Sequence, residues 1–193
     1  MQFRYISWEK MHEMCWELAE KIVGGDFHIA PNKRDRYRNL SLQYIVAISR
    51  GGLVVARILS DFLNLPIYNI AIESYKTIGK NKEPVITQDL GSADINGKNI
   101  LLIDEICDSG KTFERAVEYL HGCHSYAPVN ITSVCLVLKS KSSFIPDFFC
   151  EKIDRWVIFP YEVRETVEAL EDKMSKEEIV KLGLPKEIVG RFY

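Results

Sequence analysis

Apolar positions fall along this chain in two rhythms, and together they predict alternating helices and strands. Trp8, Met11, Cys15, Leu18 and Ile22 recur at helical spacing. Residues 8–23 are therefore expected to form an amphipathic helix, with Ser7 at its start and Gly24-Gly25 at its end. Mostly apolar runs at 44–48, 67–72, 100–103 and 131–138 read instead as strands, with 44–48 buried and 100–103 covered on both faces as in a parallel sheet. Further helices are expected at 53–63, after Gly51-Gly52, and from about 112 to 120, with Gly122 as the stop. This alternation predicts an α/β fold: a central, mostly parallel sheet with helices on both faces. Residues 73–99 break both rhythms. The interval is polar, carries Gly79, Pro84, Gly91 and Gly97, and exceeds an ordinary connection, so it is expected to be a lid whose middle pairs as a short hairpin. Residues 140–154 also lack a period and are read as irregular. Beyond the run Trp156-Val157-Ile158-Phe159-Pro160-Tyr161-Glu162 comes a charged helix at 163–173. The capping box Ser175-Lys176-Glu177-Glu178 opens another helix, and a short one follows within 184–193.

Composition narrows the classes. With 47% hydrophobic and 27% charged residues, 193 residues suit one globular domain with a small appendage. A net charge of −2 gives no general attraction to nucleic acid or an anionic membrane, and no apolar run has the length of a membrane span. Arg4, Glu9 and Lys10 interrupt the start of the chain, so no apolar signal region is expected. The five cysteines (Cys15, Cys107, Cys123, Cys135, Cys150) are odd in number and lack C-x-x-C spacing. That suits free thiols in a reducing compartment, so a cytoplasmic protein is expected. Lys33, Arg34, Arg36 and Arg38 form a basic run broken by Asp35, read as a solvated face or a subunit contact rather than a nucleic-acid surface. His12 with Cys15, and His121-Gly122-Cys123-His124, have no completing ligands and are not read as metal sites.

The chemistry concentrates after the third apolar run. Ile100-Leu101-Leu102-Ile103 leads directly into Asp104 and Glu105, and after Ile106 and Cys107 the segment Asp108-Ser109-Gly110-Lys111-Thr112 opens a helix. A strand ending in such a turn offers free backbone N–H groups and a positive dipole end to a phosphate. Gly110-Lys111-Thr112 matches the end of the G-x-x-x-x-G-K-[ST] nucleotide loop, but Glu105 stands where its first glycine belongs. A carboxylate there would repel a polyphosphate. Acid groups beside a phosphate turn suit a sugar phosphate: ribose hydroxyls donate to Asp104 and Glu105, and a 5′-phosphate lies in the turn. A divalent cation could share the carboxylates with a pyrophosphate. Ser49-Arg50-Gly51-Gly52 is a second strand–glycine turn–helix unit, with a fixed positive charge. Two such units in one sheet can hold both ends of one ligand. Lys139 follows the last long strand at its C-terminal edge, where open α/β sheets bind ligands. A lysine facing an aromatic slab such as Trp156 can grip an oxopurine.

The stretch Asp104-Glu105-Ile106-Cys107-Asp108-Ser109-Gly110-Lys111-Thr112 resembles the phosphoribosyl pyrophosphate (PRPP) motif of type I phosphoribosyltransferases. Ile48-Ser49-Arg50-Gly51-Gly52-Leu53 is similar to the pyrophosphate loop of the purine members, especially the bacterial xanthine–guanine type and archaeal relatives. In that family the peptide joining the residues matching Ser49 and Arg50 can be cis. Lys139 and Trp156-Val157 resemble the base-binding hood of 6-oxopurine members. The resemblance implies the type I phosphoribosyltransferase fold, with a core over about 40–138 and a hood from the N-terminal region and about 139–162. A lid at about 73–98 and a C-terminal helical extension over about 163–193 complete it. The implied activity is purine salvage: transfer of 5-phosphoribosyl from PRPP to N9 of hypoxanthine, guanine or xanthine.

The implied roles follow residue by residue. Asp104, Glu105, Asp108, Ser109, Gly110, Lys111 and Thr112 would bind PRPP, with Asp104 and Glu105 meeting Mg²⁺ directly or indirectly. Asp108 would be the general acid/base at purine N7. Ser49, Arg50 and Gly51 would receive pyrophosphate, and Lys139, Trp156 and Val157 would hold the base. Tyr75, Lys76, Lys80 and Lys82 belong to the lid. The implied partners are small molecules and further copies of the chain, as a homodimer or homotetramer, without a membrane. Ile158 departs from the xanthine–guanine pattern, which has an acid two residues after the stacking tryptophan. Two other readings stay open at this level: a PRPP- or nucleotide-binding transcriptional regulator without turnover, and a pyrimidine phosphoribosyltransferase.

Overall fold

The computed structural model of the chain describes residues 2–24, 41–73, 76–77, 80–81, 83–91, 93–122 and 129–193. In chain order its elements are β1 (Phe3–Tyr5), α1 (Trp8–Ile22), β2 (Tyr44–Ser49), α2 (Gly52–Leu63), β3 (Ile67–Glu73), β4 (Lys76–Thr77) and β5 (Lys80–Asn81). They continue as β6 (Val85–Gln88), β7 (Asn99–Ile103), β8 (Ile106–Cys107), α3 (Lys111–Gly122), β9 (Asn130–Leu138), β10 (Phe148–Lys152) and β11 (Trp156–Ile158). Three helices close the chain: α4 (Val163–Leu170), α5 (Lys176–Lys181) and α6 (Lys186–Phe192). The elements divide into two compact units, residues 14–152 and residues 1–13 with 153–193.

In the larger unit the sheet order is β10-β9-β7-β2-β3-β6, with β8 also beside β9. Every neighbouring pair is parallel except β3 with β6. The four apolar runs became its central strands, and the inner pair is covered on both faces: Ile45, Val46 and Ala47 on β2 and Leu101, Leu102 and Ile103 on β7 are fully buried. Val46, Ile48, Ile70, Ile100 and Leu102 share one cluster with Phe113, Ala116 and Leu120 of α3. Each such side chain contributes about 1.5–3 kcal/mol of burial. From β2 the chain winds through α2 to β3 on one side, and from β7 through α3 to β9 on the other. The winding therefore reverses between β2 and β7. Outside the carboxyl ends of strands at such a reversal, an open α/β sheet leaves a crevice where ligands bind.

In the smaller unit β1 runs parallel to β11, pairing Phe3 with Trp156 and Tyr5 with Ile158. Ile158, Val163, Val167, Ile179, Leu184 and Val189 form its apolar cluster. The capping box at the start of α5 is formed: Glu178 N donates to Ser175 Oγ at 3.3 Å, and Ser175 N donates to the Glu178 carboxylate at 2.8 Å.

Five strands, β1, β6, β8, β10 and β11, had no counterpart in the expectation. β1 has three residues and no period to read. β6 lies within the polar 73–99 interval and pairs antiparallel with β3 as a sheet edge, with little of it buried. β10 forms where an irregular stretch was expected, because Phe148 and Phe149 pair in register with Val134 and Cys135 of β9. Residues 139–152 fall within the larger unit. The short β4–β5 hairpin lies near the start of the expected lid rather than at its middle. Tyr75, Lys82, Cys123, His124 and the basic run 33–38 lie outside the described residues, as do the side chains of Lys76 and Lys80. Among the described residues no helix is long and apolar enough to cross a membrane. Cys15, Cys107 and Cys135 are buried thiols.

Candidate active site

Two turns flank the reversal. The first follows β2, where the Ser49–Arg50 peptide is cis and Asn69 Nδ2 donates to Ser49 Oγ at 3.1 Å. Gly51 then begins α2 without a side-chain cap. Leu53 N and Val54 N turn back on Arg50 O and Gly51 O, each at 3.2 Å, and with no capping side chain the positive dipole end of the helix suits an anion. Gly51 is a glycine for a steric reason: a Cβ there would overlap the Glu105 carboxylate. Gly52 is equally constrained, since its Cβ would come within 2.6 Å of Ile103 O. The glycine pair thus lets the start of α2 lie against the end of β7.

The second turn follows β7. Asp104 is buried, and Glu105 N donates to Asp104 Oδ1 at 3.0 Å. Leu136 N and Val137 N approach Glu105 O at 3.1 and 3.2 Å, holding that peptide against β9. Burial, and then the charge of Glu105 beside it, push the Asp104 carboxyl well above the usual carboxylate range. Glu105 Oε2 is buried without a hydrogen-bond partner. An orphaned carboxylate oxygen beside a second carboxyl suits a hard divalent cation. Among the described residues no group of three or more His, Cys, Asp or Glu side chains could enclose a metal, so such a cation would complete its shell with substrate oxygens and water.

From Asp108 the chain turns outward. Asp108 and Ser109 are exposed, Gly110 is buried at φ +91°, and Lys111 begins α3. Ser109 Oγ accepts from Lys111 N at 3.4 Å, and Lys111 Nζ pairs with Glu83 at 2.6 Å. A Cβ at Gly110 would fall 2.5 Å from Phe144 N and 2.8 Å from Ser143 Oγ. Gly110→Ala is therefore expected to destabilise the fold by about 2 kcal/mol or more, through both the left-handed backbone and a clash with a neighbouring main chain. A thermal melt reads the stability loss, and a melt at wild-type temperature would contradict it. Cys107, though inside the motif, packs inward, and burial pushes its thiol up. It is a structural thiol rather than a nucleophile.

Of the other expected residues, Lys139 is buried at the end of β9, with its N–H donating to Cys107 O at 2.9 Å. Ser49, Arg50, Gly51, Asp104, Glu105, Asp108–Thr112 and Lys139 all belong to the larger unit. Trp156 and Val157 belong to the smaller one, Trp156 half exposed and Val157 buried. Ile158 is fully buried in the smaller unit's apolar cluster. Four residues had no counterpart in the sequence reading: Asn69 at Ser49, Glu83 at Lys111, Lys141 at Asp108 and Ser143 at Ser109. Each is a polar residue in a polar stretch or a strand, with no local signal of its partner.

Comparison with known proteins agrees with this fold. The phosphoribosyl transferase domain family matches residues 7–166. A xanthine–guanine phosphoribosyltransferase of Idiomarina loihiensis is 26% identical over 161 residues, 82% of this chain and 86% of that protein. Xanthine phosphoribosyltransferase 1 of Saccharomyces cerevisiae is 30% identical over 136 residues, 60% of this chain and 59% of that protein. The crystal structure of a purine phosphoribosyltransferase from Pyrococcus horikoshii superposes with a TM-score of 0.67 at 28% identity, covering 83% of this chain and 95% of that one. With a family match over most of its length and the motif turns set at adjacent strand ends, the chain belongs to the type I phosphoribosyltransferases, related to the purine members, and is an enzyme of phosphoribosyl transfer.

Proposed function

We propose that the enzyme transfers the 5-phosphoribosyl group of PRPP to N9 of a 6-oxopurine and releases pyrophosphate. The observation that carries the reading is the Glu105 carboxylate lying over Gly51, with one oxygen unpartnered, between two anion-suited turns at the ends of β2 and β7. One ligand with acid-seeking hydroxyls at its centre and phosphates at both ends suits that spacing. In the reaction the bond from C1′ to pyrophosphate breaks and C1′ bonds to N9. Positive charge develops at C1′, and Asp104 and Glu105 are the carboxylates that would stabilise it. The purine gives up its proton at N7 to Asp108. The 5′-phosphate lies on the Ser109–Thr112 backbone, and the pyrophosphate on Ser49, Arg50 and Gly51. Mg²⁺, held by Asp104 and Glu105 together with substrate oxygens, would balance the charge of the leaving pyrophosphate.

For the base, Lys139, Trp156 and Val157 are the proposed contacts, supported by their match to the 6-oxopurine members and by the purine-specific names of the relatives. The Ile158 side chain is committed to the apolar cluster, so it offers no polar group to the purine 2-position. That favours hypoxanthine, which has only hydrogen there. The subunits are proposed to assemble as a homodimer or homotetramer, which light scattering would test. For the activity, steady-state pyrophosphate release from PRPP is followed with hypoxanthine, guanine, xanthine, adenine and uracil. Turnover with the oxopurines, hypoxanthine foremost, is expected; turnover with uracil alone, or preference for xanthine, would contradict the reading.

A further inference from the structure

Lys141 Nζ lies 2.9 Å from Asp108 Oδ1 and 3.1 Å from Oδ2, so one ammonium spans both oxygens of the carboxylate. The two side chains are 67% and 55% exposed, and an ion pair so open to water contributes next to nothing to stability. Its frame, however, is built. The residues flanking Asp108 are tied to a turn that flanks Lys141: Lys139 N donates to Cys107 O at 2.9 Å, and Ser143 N donates to Ser109 O at 3.0 Å. Within that turn Ser142 N donates to Lys139 O at 3.1 Å, and Ser143 Oγ reaches Glu114 Oε1 of α3 at 2.7 Å. Main-chain bonds on both sides therefore bring this lysine to this aspartate. A surface pair formed by two long side chains meeting by chance has no such ladder.

We propose that Lys141 is a positioning residue for Asp108. It fixes the direction of the carboxylate and balances its charge until the proton of the acceptor base arrives. When the proton transfers, Asp108 becomes neutral and the ammonium is released to water, so the pair reports on the chemical step and not on PRPP binding. This inference rests on Asp108 acting as the acid/base group, whichever base the enzyme prefers.

The test is a set of four variants, Lys141→Met, Lys141→Arg, Asp108→Asn and the double variant Lys141→Met/Asp108→Asn, assayed with the best acceptor base. Lys141→Met should lower kcat about tenfold with an unchanged KM for PRPP and an unchanged melting temperature. Lys141→Arg should restore most of the loss, since a guanidinium can span the same two oxygens. In the Asp108→Asn background, Lys141→Met should cause no further loss. If Lys141→Met keeps the wild-type kcat while Asp108→Asn is crippled, the positioning role is wrong and that of Asp108 stands. A loss that persists in the double variant, or that Arg fails to rescue, also overturns it. Full turnover by Asp108→Asn would remove both roles.

Discussion

Asp108→Asn is expected to lose about two to four orders of magnitude in kcat while keeping its affinity for PRPP. The carboxylate stands exposed at the head of the Ser109–Thr112 turn, and none of the main-chain bonds holding Cys107 and Ser109 passes through it. Asn has nearly the same shape, so the turn proposed to receive the 5′-phosphate should persist. Only the proposed proton acceptor is lost. The ion pair with Lys141 disappears as well, but exposed pairs contribute about 0–1 kcal/mol, so the fold should be unaffected. Measuring kcat beside the dissociation constant for PRPP separates the two roles. Retained turnover, or lost PRPP binding with normal chemistry, would show that Asp108 does something else.

Gly51→Ala is expected to fold normally and to lose on the order of ten- to a hundredfold in kcat/KM for PRPP. The added methyl would occupy the place of the Glu105 carboxylate. That group is the end of a flexible side chain, so it can swing away at small cost to stability. It cannot then stand between the two turns, where the ribose hydroxyls and the cation are proposed to meet it. Gly110→Ala is the contrasting case, because there the obstacle is the main chain of Phe144, which cannot swing aside. A melting temperature within a few degrees of wild type, with a large loss in kcat/KM, is therefore the signature for Gly51→Ala. Full activity would mean that the position of Glu105 over this glycine has no part in binding.

The parts of the molecule that were legible in the sequence are those whose physics is local. Tyr44–Ser49 and Asn99–Ile103 are covered on both faces, so their apolar runs are unbroken and easily read. The turns at Gly51 and Gly110 declare themselves through residues that only a close approach or a left-handed backbone demands. The capping box at Ser175 is spelled out within four residues. Edge strands such as Val85–Gln88 have only one covered face, and Phe148–Lys152 is fixed by its register against a strand a dozen residues away. No short window holds that information. The same limit hid Lys141 and Ser143, whose partners lie more than thirty residues earlier, and Glu83, whose partner Lys111 lies 28 residues later. The Lys-Ser-Lys-Ser-Ser run at 139–143 reads as an ordinary polar loop until the fold lays it beside the PRPP motif. Ile158 shows the opposite case: its departure from the xanthine–guanine pattern was visible, but its burial was not.

The most direct test is a crystal structure with PRPP and Mg²⁺ bound under conditions that prevent turnover. The 5′-phosphate should rest on the backbone N–H groups from Ser109 to Thr112, with the pyrophosphate at Ser49–Gly51 and the ribose hydroxyls against Asp104 and Glu105. A donor lying with its 5′-phosphate anywhere else, or with both phosphate ends on one turn, would contradict the assignment of this site.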